Sequence, residues 1–103
     1  MRKSEIFAVI FSIVADESEI SADLITSKSR VSEVVDARHI LVYLASRYGV
    51  YKSILSSKLS LSNRSIEIII CKFSDRLQSD KSFKYLYNRV LNKVRESCEE
   101  DAN

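Results

Sequence analysis

The sequence predicts an all-α domain of about six helices, and three observations predict it. Apolar residues recur at spacings of three and four along almost the whole chain, which is the periodicity of amphipathic helices. The chain has no proline and a single glycine, Gly49, so it lacks the turn-forming residues that a hairpin-rich β fold needs. Apolar residues make up 46% of the 103 residues, which is enough for one core and one folded domain.

The first two helices are predicted in the N-terminal quarter of the chain. Ser4 can cap a first helix, and the acidic, serine-rich stretch 16–21 ends it. The apolar positions of this helix are Ile6, Val9, Ile10, Ile13 and Val14. Ser21 can cap a short second helix through Ile25, and a basic turn follows at residues 27–30.

The third helix is predicted from about Ser32 to Tyr48, with Gly49 in the position where a left-handed residue often ends a helix. Its inward positions are Val35, Ile40, Tyr43 and Leu44, with Ala37 and Leu41 as further candidates. A short fourth helix follows from about Tyr51 to Leu59. Its inward positions are Ile54, Leu55 and Leu59.

Ser62 is a strong N-cap candidate for a fifth helix, which buries Ile66, Ile69, Ile70, Phe73 and Leu77. The β-branched run 66–70 also fits a strand, but the cap and the continuing pattern favour a helix. Asp80 can cap a sixth helix, whose apolar positions are Phe83, Leu86, Tyr87, Val90, Leu91 and Val94. The sequence therefore predicts one helical domain over residues 1–96 and an acidic, flexible tail over 97–103.

Charge is distributed unevenly along the chain. Residues 1–27 hold two basic and five acidic residues, residues 28–95 hold fourteen basic and five acidic, and residues 96–103 hold four acidic. The corresponding net charges are −3, +9 and −4, which give the total of +2. A segment of +9 is what a phosphate-binding surface needs, although a solvated basic face without a partner has the same composition.

Several classes of protein are disfavoured by composition. No apolar run reaches the roughly 18 residues of a membrane span, so we expect no membrane association. Two cysteines, Cys71 and Cys98, and one histidine, His39, supply neither a disulfide framework nor a zinc site, so we expect no metal and a reducing, cytoplasmic location. His39 has no second ligand or nucleophile beside it in the sequence, so we expect no catalytic residues, no cofactor and no small-molecule substrate.

Two features coincide where the fourth helix meets the fifth. A few polar residues join these helices, which is the arrangement of a helix-turn-helix. The turn and the start of the fifth helix carry short polar and basic side chains: Ser60, Ser62, Asn63, Arg64 and Ser65. Backbone N–H groups and hydroxyls at a helix start suit phosphates, Asn pairs with adenine, and Arg pairs with guanine. An ordinary capped and solvated helix start has the same local pattern.

Four segments along the chain also follow the pattern of a known family. They are the short helix at 20–24 with the basic turn 27–30, the long-helix segment 35–45 with Ala37-Arg38-His39-Ile40 and Tyr43-Leu44-Ala45, the segment 55–59, and Ser62-Asn63-Arg64-Ser65-Ile66. Over about residues 5–95 the chain resembles the C-terminal DNA-binding domain of the bacterial replication initiator DnaA, whose architecture is that of the Trp repressor. The resemblance implies that fold and a surface that contacts DNA phosphates.

The family's Asp-His-Ser/Thr-Thr-Val signature is altered in this chain. The Asp-His pair is replaced by Ser62-Asn63, the second hydroxyl is kept as Ser65, and Ser60 and Leu61 stand where the family has glycines. Recognition of the initiator's own DNA box is therefore not implied. The chain has no G-x-x-x-x-G-K-[ST] loop for an ATPase, so we expect a free-standing DNA-binding domain, from a phage, a mobile element or a regulator of replication or transcription.

Within this frame, basic residues outside the fifth helix are candidates for phosphate contacts. Lys28, Arg30 and Arg38 would contact phosphates at the basic turn and at the start of the long helix. Lys52 and Lys58 would flank the DNA from the fourth helix. Solvated charge is the alternative interpretation for all five.

The fifth helix supplies the candidate base contacts. Asn63 and Arg64 would face the major groove of double-stranded DNA, Ser62 would cap the helix more than read bases, and Ser65 would bond a phosphate.

The outer face of the same helix supports a second function. Glu67 would repel phosphate unless it accepts a hydrogen bond from a cytosine N4, and Ile68 would touch a thymine methyl group. Ile68 and Cys71 could instead be buried against a protein partner or a second copy of the chain. The alternative to a DNA-binding domain is therefore a protein-interaction module that keeps the fold without binding DNA.

Overall fold

The computed structural model describes residues 2–98 and confirms the all-α prediction. Within this range the chain forms six helices, which are α1 (Lys3–Ser18), α2 (Ala22–Thr26), α3 (Ser32–Arg47), α4 (Lys52–Leu59), α5 (Asn63–Ser79) and α6 (Lys81–Cys98). None of these helices is long and apolar enough to cross a lipid bilayer.

Helix α3 is the centre of the fold, because it contacts the other five helices. Its buried residues are Val34, Ala37, Ile40, Leu41, Val42, Leu44 and Ala45. Three consecutive residues, 40–42, are buried, which requires neighbours on more than one side of the helix. The inward face predicted for α3 is therefore too narrow: Val34 and Val42 are buried, whereas Val35 and Tyr43 are only partly buried.

Helix α1 packs along α3 and α6 through Phe7, Ile10 and Val14. The prediction that Ser4 caps this helix is wrong, because α1 begins at Lys3 with Arg2 in the N-cap position. The N–H of Ile6 donates to the carbonyl of Arg2 at 2.9 Å, so the first helical turn forms before Ser4 can act as a cap.

The caps predicted at Ser21 and Asp80 are confirmed by side-chain hydrogen bonds, whereas α3 and α4 begin without a side-chain cap. The hydroxyl of Ser21 accepts from the N–H of Leu24 at 3.3 Å, and Asp80 Oδ1 accepts from the N–H of Phe83 at 3.0 Å. Each bond satisfies a backbone donor that the first turn of a helix leaves free. Gly49 follows α3 with φ +86°, the left-handed conformation that glycine adopts without strain.

Helix α6 runs two residues past position 96, the predicted boundary between domain and tail. Helix α6 continues through Cys98, so residues 97 and 98 are helical and Cys98 packs against the core. The rest of the predicted acidic tail, residues 99–103, lies outside the described residues.

An aromatic cluster fixes α5 against α3 and α6. The ring of Phe73 stacks on Tyr43 with centroids 3.9 Å apart and meets Phe83 at 5.2 Å and Tyr87 at 5.1 Å. About two helical turns before Phe73, Ile66 is fully buried. These contacts hold one side of α5 in the core and direct its opposite side outward.

Candidate nucleic-acid interface

The N-terminus of α5 is open to solvent and capped by Ser62. The hydroxyl of Ser62 accepts from the N–H of Ser65 at 3.1 Å and donates to Ser65 Oγ at 3.0 Å. The capping role predicted for Ser62 is therefore confirmed. Asn63 and Arg64 are exposed in the first turn, which contains no acidic residue. The positive end of the helix dipole is thus left without a carboxylate of the same turn.

The outer side of α5 carries the residues expected there. Arg64, Glu67, Ile68 and Cys71 are all exposed, and Ile68 keeps 42% of its surface accessible. Their spacing of three and four places them on the side of α5 opposite Ile66 and Phe73.

Residues 60–62 join α4 to α5 in a short, well-bonded turn. The hydroxyl of Ser56 donates to the carbonyl of Leu61 at 2.6 Å, and the N–H of Leu61 donates to the carbonyl of Ser56 at 3.3 Å. Ser60 adopts a left-handed conformation with φ +54°. This is a conformation that glycine adopts more readily, and it falls where the resembled family has glycines.

The basic turn between α2 and α3 is held from inside by Arg38. The Arg38 guanidinium donates to three backbone carbonyls, those of Ile25 (2.8 Å), Ser27 (2.7 Å) and Ser29 (3.2 Å). Arg38 therefore braces the turn, and its predicted phosphate contact stays a prediction. The side chains of Lys28 and Arg30 are exposed on the braced turn.

The basic turn and α5 border one groove of about 730 Å³, which we call the turn–α5 groove. The walls include Lys28 and Arg30 from the turn and Ser65, Ile68 and Lys72 from α5. With Arg38, which also lines the groove, five of the predicted site residues meet here although they are distant in sequence. Lys72 was not predicted, although its position seven residues after Ser65 on the same helix is a signal that could have found it.

Ion pairing divides the basic residues into two groups. No carboxylate of residues 2–98 pairs with Lys28, Arg30, Arg64 or Lys72, although Asp75 also lines the groove. Other cations are engaged: Arg76 pairs with Asp36 and Asp80, Arg89 with Glu17, and Lys52 with Glu67. The unpaired cations at the groove and on the outer side of α5 are available to an anionic ligand without the loss of an ion pair.

The two lysines of α4 lie away from the turn–α5 groove. Lys58 borders a separate cavity formed with α1 and α2. Lys52 Nζ lies 2.8 Å from Glu67 Oε1, and this hydrogen bond, together with the charge of Lys52, lowers the pKa of Glu67. The structure therefore does not bring Lys52 or Lys58 together with the basic turn.

His39 lies half-buried on the α3 wall of the groove. Burial lowers the pKa of His39, Asp36 opposes this effect, and the nearby charges of Arg76 and Arg38 add to it. The neutral imidazole is thus favoured. Within residues 2–98, no group of three His, Cys, Asp or Glu side chains is arranged to hold a metal ion.

The candidate interface therefore consists of the braced basic turn, the turn–α5 groove and the outer side of α5. The sequence anticipated the basic turn and the outer side of α5, while the groove that connects them became visible only in the fold. Comparisons with protein-family models, with curated proteins and with solved structures found no match to this chain.

Proposed function

We propose that this chain binds double-stranded DNA as a helix-turn-helix domain, with α5 in the major groove and the basic turn on the phosphate backbone. The observation that carries the proposal is the turn–α5 groove, at which unpaired cations from the turn and from α5 face a common space. The resemblance of the sequence to the DNA-binding domain of DnaA agrees with this arrangement. A role in replication or transcription control follows as part of the same proposal.

The phosphate contacts are assigned to the groove. Lys28 and Arg30 stand on a turn whose backbone is held by Arg38, so their charges are presented from a rigid base. Lys72 lines the groove from α5, and so does Ser65, the third residue of that helix. Phosphate contacts of this kind set the orientation of a protein on DNA and carry no sequence information.

The base contacts are assigned to the start of α5. Asn63 and Arg64 are exposed in the first helical turn, where an amide and a guanidinium can each make two hydrogen bonds to one base. Ile68 lies one turn further along the same side and can contact a thymine methyl group.

The test is duplex binding across a series of salt concentrations. Each phosphate contact releases counterions, so the logarithm of the affinity should fall with the logarithm of salt concentration by about 0.9 per contact. Steep salt dependence supports the proposal. Absence of duplex binding at low salt, or a flat profile, rejects it.

Three variants separate the assigned roles. Arg30→Ala should weaken binding to all duplexes alike and reduce the salt slope by about one, whereas Arg64→Ala should relax base preference at one position. Lys93→Ala is the control, because Lys93 is exposed on α6 and outside the groove. Equal effects of all three substitutions on every duplex would refute the assignment.

A protein-interaction module is the second candidate, and the exposure of Ile68 is the observation that favours it. In that case duplex DNA should not bind. Ile68→Ser should abolish association with a second copy, measured by light scattering, or with a protein partner, measured by pull-down.

A further inference from the structure

We propose that Glu67 selects the base at one position of the duplex and that Lys52 is the positioning residue that aims its carboxylate. This inference rests on the proposed function, because it requires α5 to enter the major groove. It goes further by assigning the Lys52–Glu67 pair a role in specificity, where phosphate contact was the prediction for Lys52.

The pair joins the beginning of α4 to the second turn of α5. Lys52 is the first residue of α4, and its Nζ donates to Glu67 Oε1 at 2.8 Å across fifteen residues of sequence. Both side chains remain half-exposed, with 48% and 55% of their surfaces accessible. Within the described residues Oε2 of Glu67 has no bonding partner, so one carboxylate oxygen is held and the other is available.

Glu67 belongs to the surface that faces bases in the proposed complex. It follows Asn63 by four residues and Arg64 by three, so it lies one helical turn beyond both on the exposed side of α5. A side chain at this position reaches the base pair next to those contacted by the first turn.

A carboxylate at this place discriminates by its hydrogen-bonding character. An ionised carboxylate only accepts, and the cytosine N4 amino group is a donor in the major groove. Guanine presents the acceptors O6 and N7 and thymine presents O4, so both are repelled, and adenine sets the acceptor N7 beside its N6 donor, which weakens its contact with a carboxylate. A glutamate carboxylate is ionised, and so in the acceptor form, at neutral pH. The hydrogen bond and charge of Lys52 lower the pKa of Glu67 further.

Lys52 contributes in two ways. Its hydrogen bond to Oε1 restricts the carboxylate to one orientation, which reduces the ordering cost when a base is bound. Its positive charge also offsets the repulsion between Glu67 and nearby phosphates. Without Lys52, the carboxylate would be free to turn away from the base.

The experiment is selection of bound duplexes from a random pool, followed by affinity measurements on duplexes that differ at the selected position. The wild-type chain should prefer cytosine at one position by about tenfold. Glu67→Gln should abolish the preference for cytosine, because Lys52 holds the amide oxygen and leaves an NH2 group, a donor that cannot accept from cytosine N4. Lys52→Met should reduce the preference for cytosine and keep the same position.

Asp75→Asn is the matched control. Asp75 is an exposed carboxylate on the same helix, two turns further on, in the wall of the turn–α5 groove and outside the Lys52 pair, and the substitution removes the same charge. It should raise the affinity for all duplexes alike through weaker repulsion, and leave the preferred base unchanged. Helicity and melting temperature of every variant should be measured to establish that each is folded.

The outcomes separate the two proposals. Salt-dependent duplex binding with the same base preference in wild type and Glu67→Gln overturns the role of Glu67 and leaves the proposed function standing. A lowered melting temperature with full cytosine preference in Lys52→Met shows a structural clamp and overturns the positioning role. Failure of the wild-type chain to bind any duplex overturns the proposed function and this inference together.

Discussion

Arg64 and Arg76 lie at opposite ends of α5, three turns apart, and have opposite surroundings. Arg64 is exposed in the first turn, with no carboxylate of the described residues paired to it. The Arg76 guanidinium lies 2.7 Å from Asp36 and 3.1 Å from Asp80, and 4.5 Å from the centre of the Phe83 ring. The first arginine is available to a ligand, and the second joins α5 to α3 and α6.

The contrast between an unpaired and an ion-paired arginine shows how the charge of α5 should be interpreted. Phe73 and Arg76 anchor the later turns of α5 to α3 and α6. In the first turn Ile66 is buried, whereas the side chain of Arg64 stays exposed. Net charge counts both arginines equally. Only the unpaired cations can neutralise phosphate without first breaking an internal ion pair, so the effective positive surface is smaller than the composition indicates.

Removing the buried ring of Phe73, which anchors α5 to the core, should have the largest effect on stability. Phe73→Ala deletes a ring that is buried and stacked on Tyr43, so it should lower the free energy of unfolding by about 3–5 kcal/mol. Ile68→Ala on the exposed side of the same helix is the control and should change it by about 0.5 kcal/mol or less. Chemical denaturation measures both, and similar losses would contradict the division of α5 into two sides.

Removing the brace of the basic turn should have the next largest effect. Arg38→Gln replaces a guanidinium that donates to three carbonyls, so it should cost about 2 kcal/mol of stability. Affinity for every duplex should fall because the turn loosens, while the salt slope should stay the same. A slope reduced by about one would instead identify Arg38 as a direct phosphate contact.

The two arginines of α5 provide a direct test of the comparison. Arg76→Gln should lower stability by about 1 kcal/mol, since its ion pairs are partly exposed, and should leave duplex affinity nearly unchanged. Arg64→Gln should lower duplex affinity and leave stability nearly unchanged. The two proteins should be compared by denaturation and by duplex titration at one salt concentration, and a stability loss in Arg64→Gln would contradict the assignment.

The smallest expected effect is the pH dependence from His39. The pKa of His39 is lowered in the folded state, so the unfolded chain binds the proton more tightly. Stability should be fully present above the unfolded pKa of about 6.5 and should fall as pH decreases below it. His39→Gln should remove this slope between pH 7 and 5, as measured by denaturation midpoints, with Asp36, Arg38 and Arg76 left in place. An unchanged slope would assign it to other groups.

Local features of the fold could be predicted because their partners lie three or four residues away. Ser21, Ser62 and Asp80 each bond a backbone N–H three residues on, and that spacing is visible in the sequence. Ser4 has the same residue type and fails as a cap, because α1 starts one residue before it. A cap candidate thus predicts a helix start only where the preceding residues do not extend the helix.

The sequence by itself determined the helical class, most of the apolar positions and the polar, basic start of α5, because these follow from periodicity and short-range hydrogen bonding. Tertiary structure alone decided how the charges are used. Arg38 finds its carbonyls nine to thirteen residues away, Lys52 finds Glu67 fifteen residues away, and Arg76 finds Asp36 forty residues away. A cation's role depends on which oxygen atoms the fold brings within hydrogen-bonding distance, and that distance is set by the packing of helices that are remote in sequence.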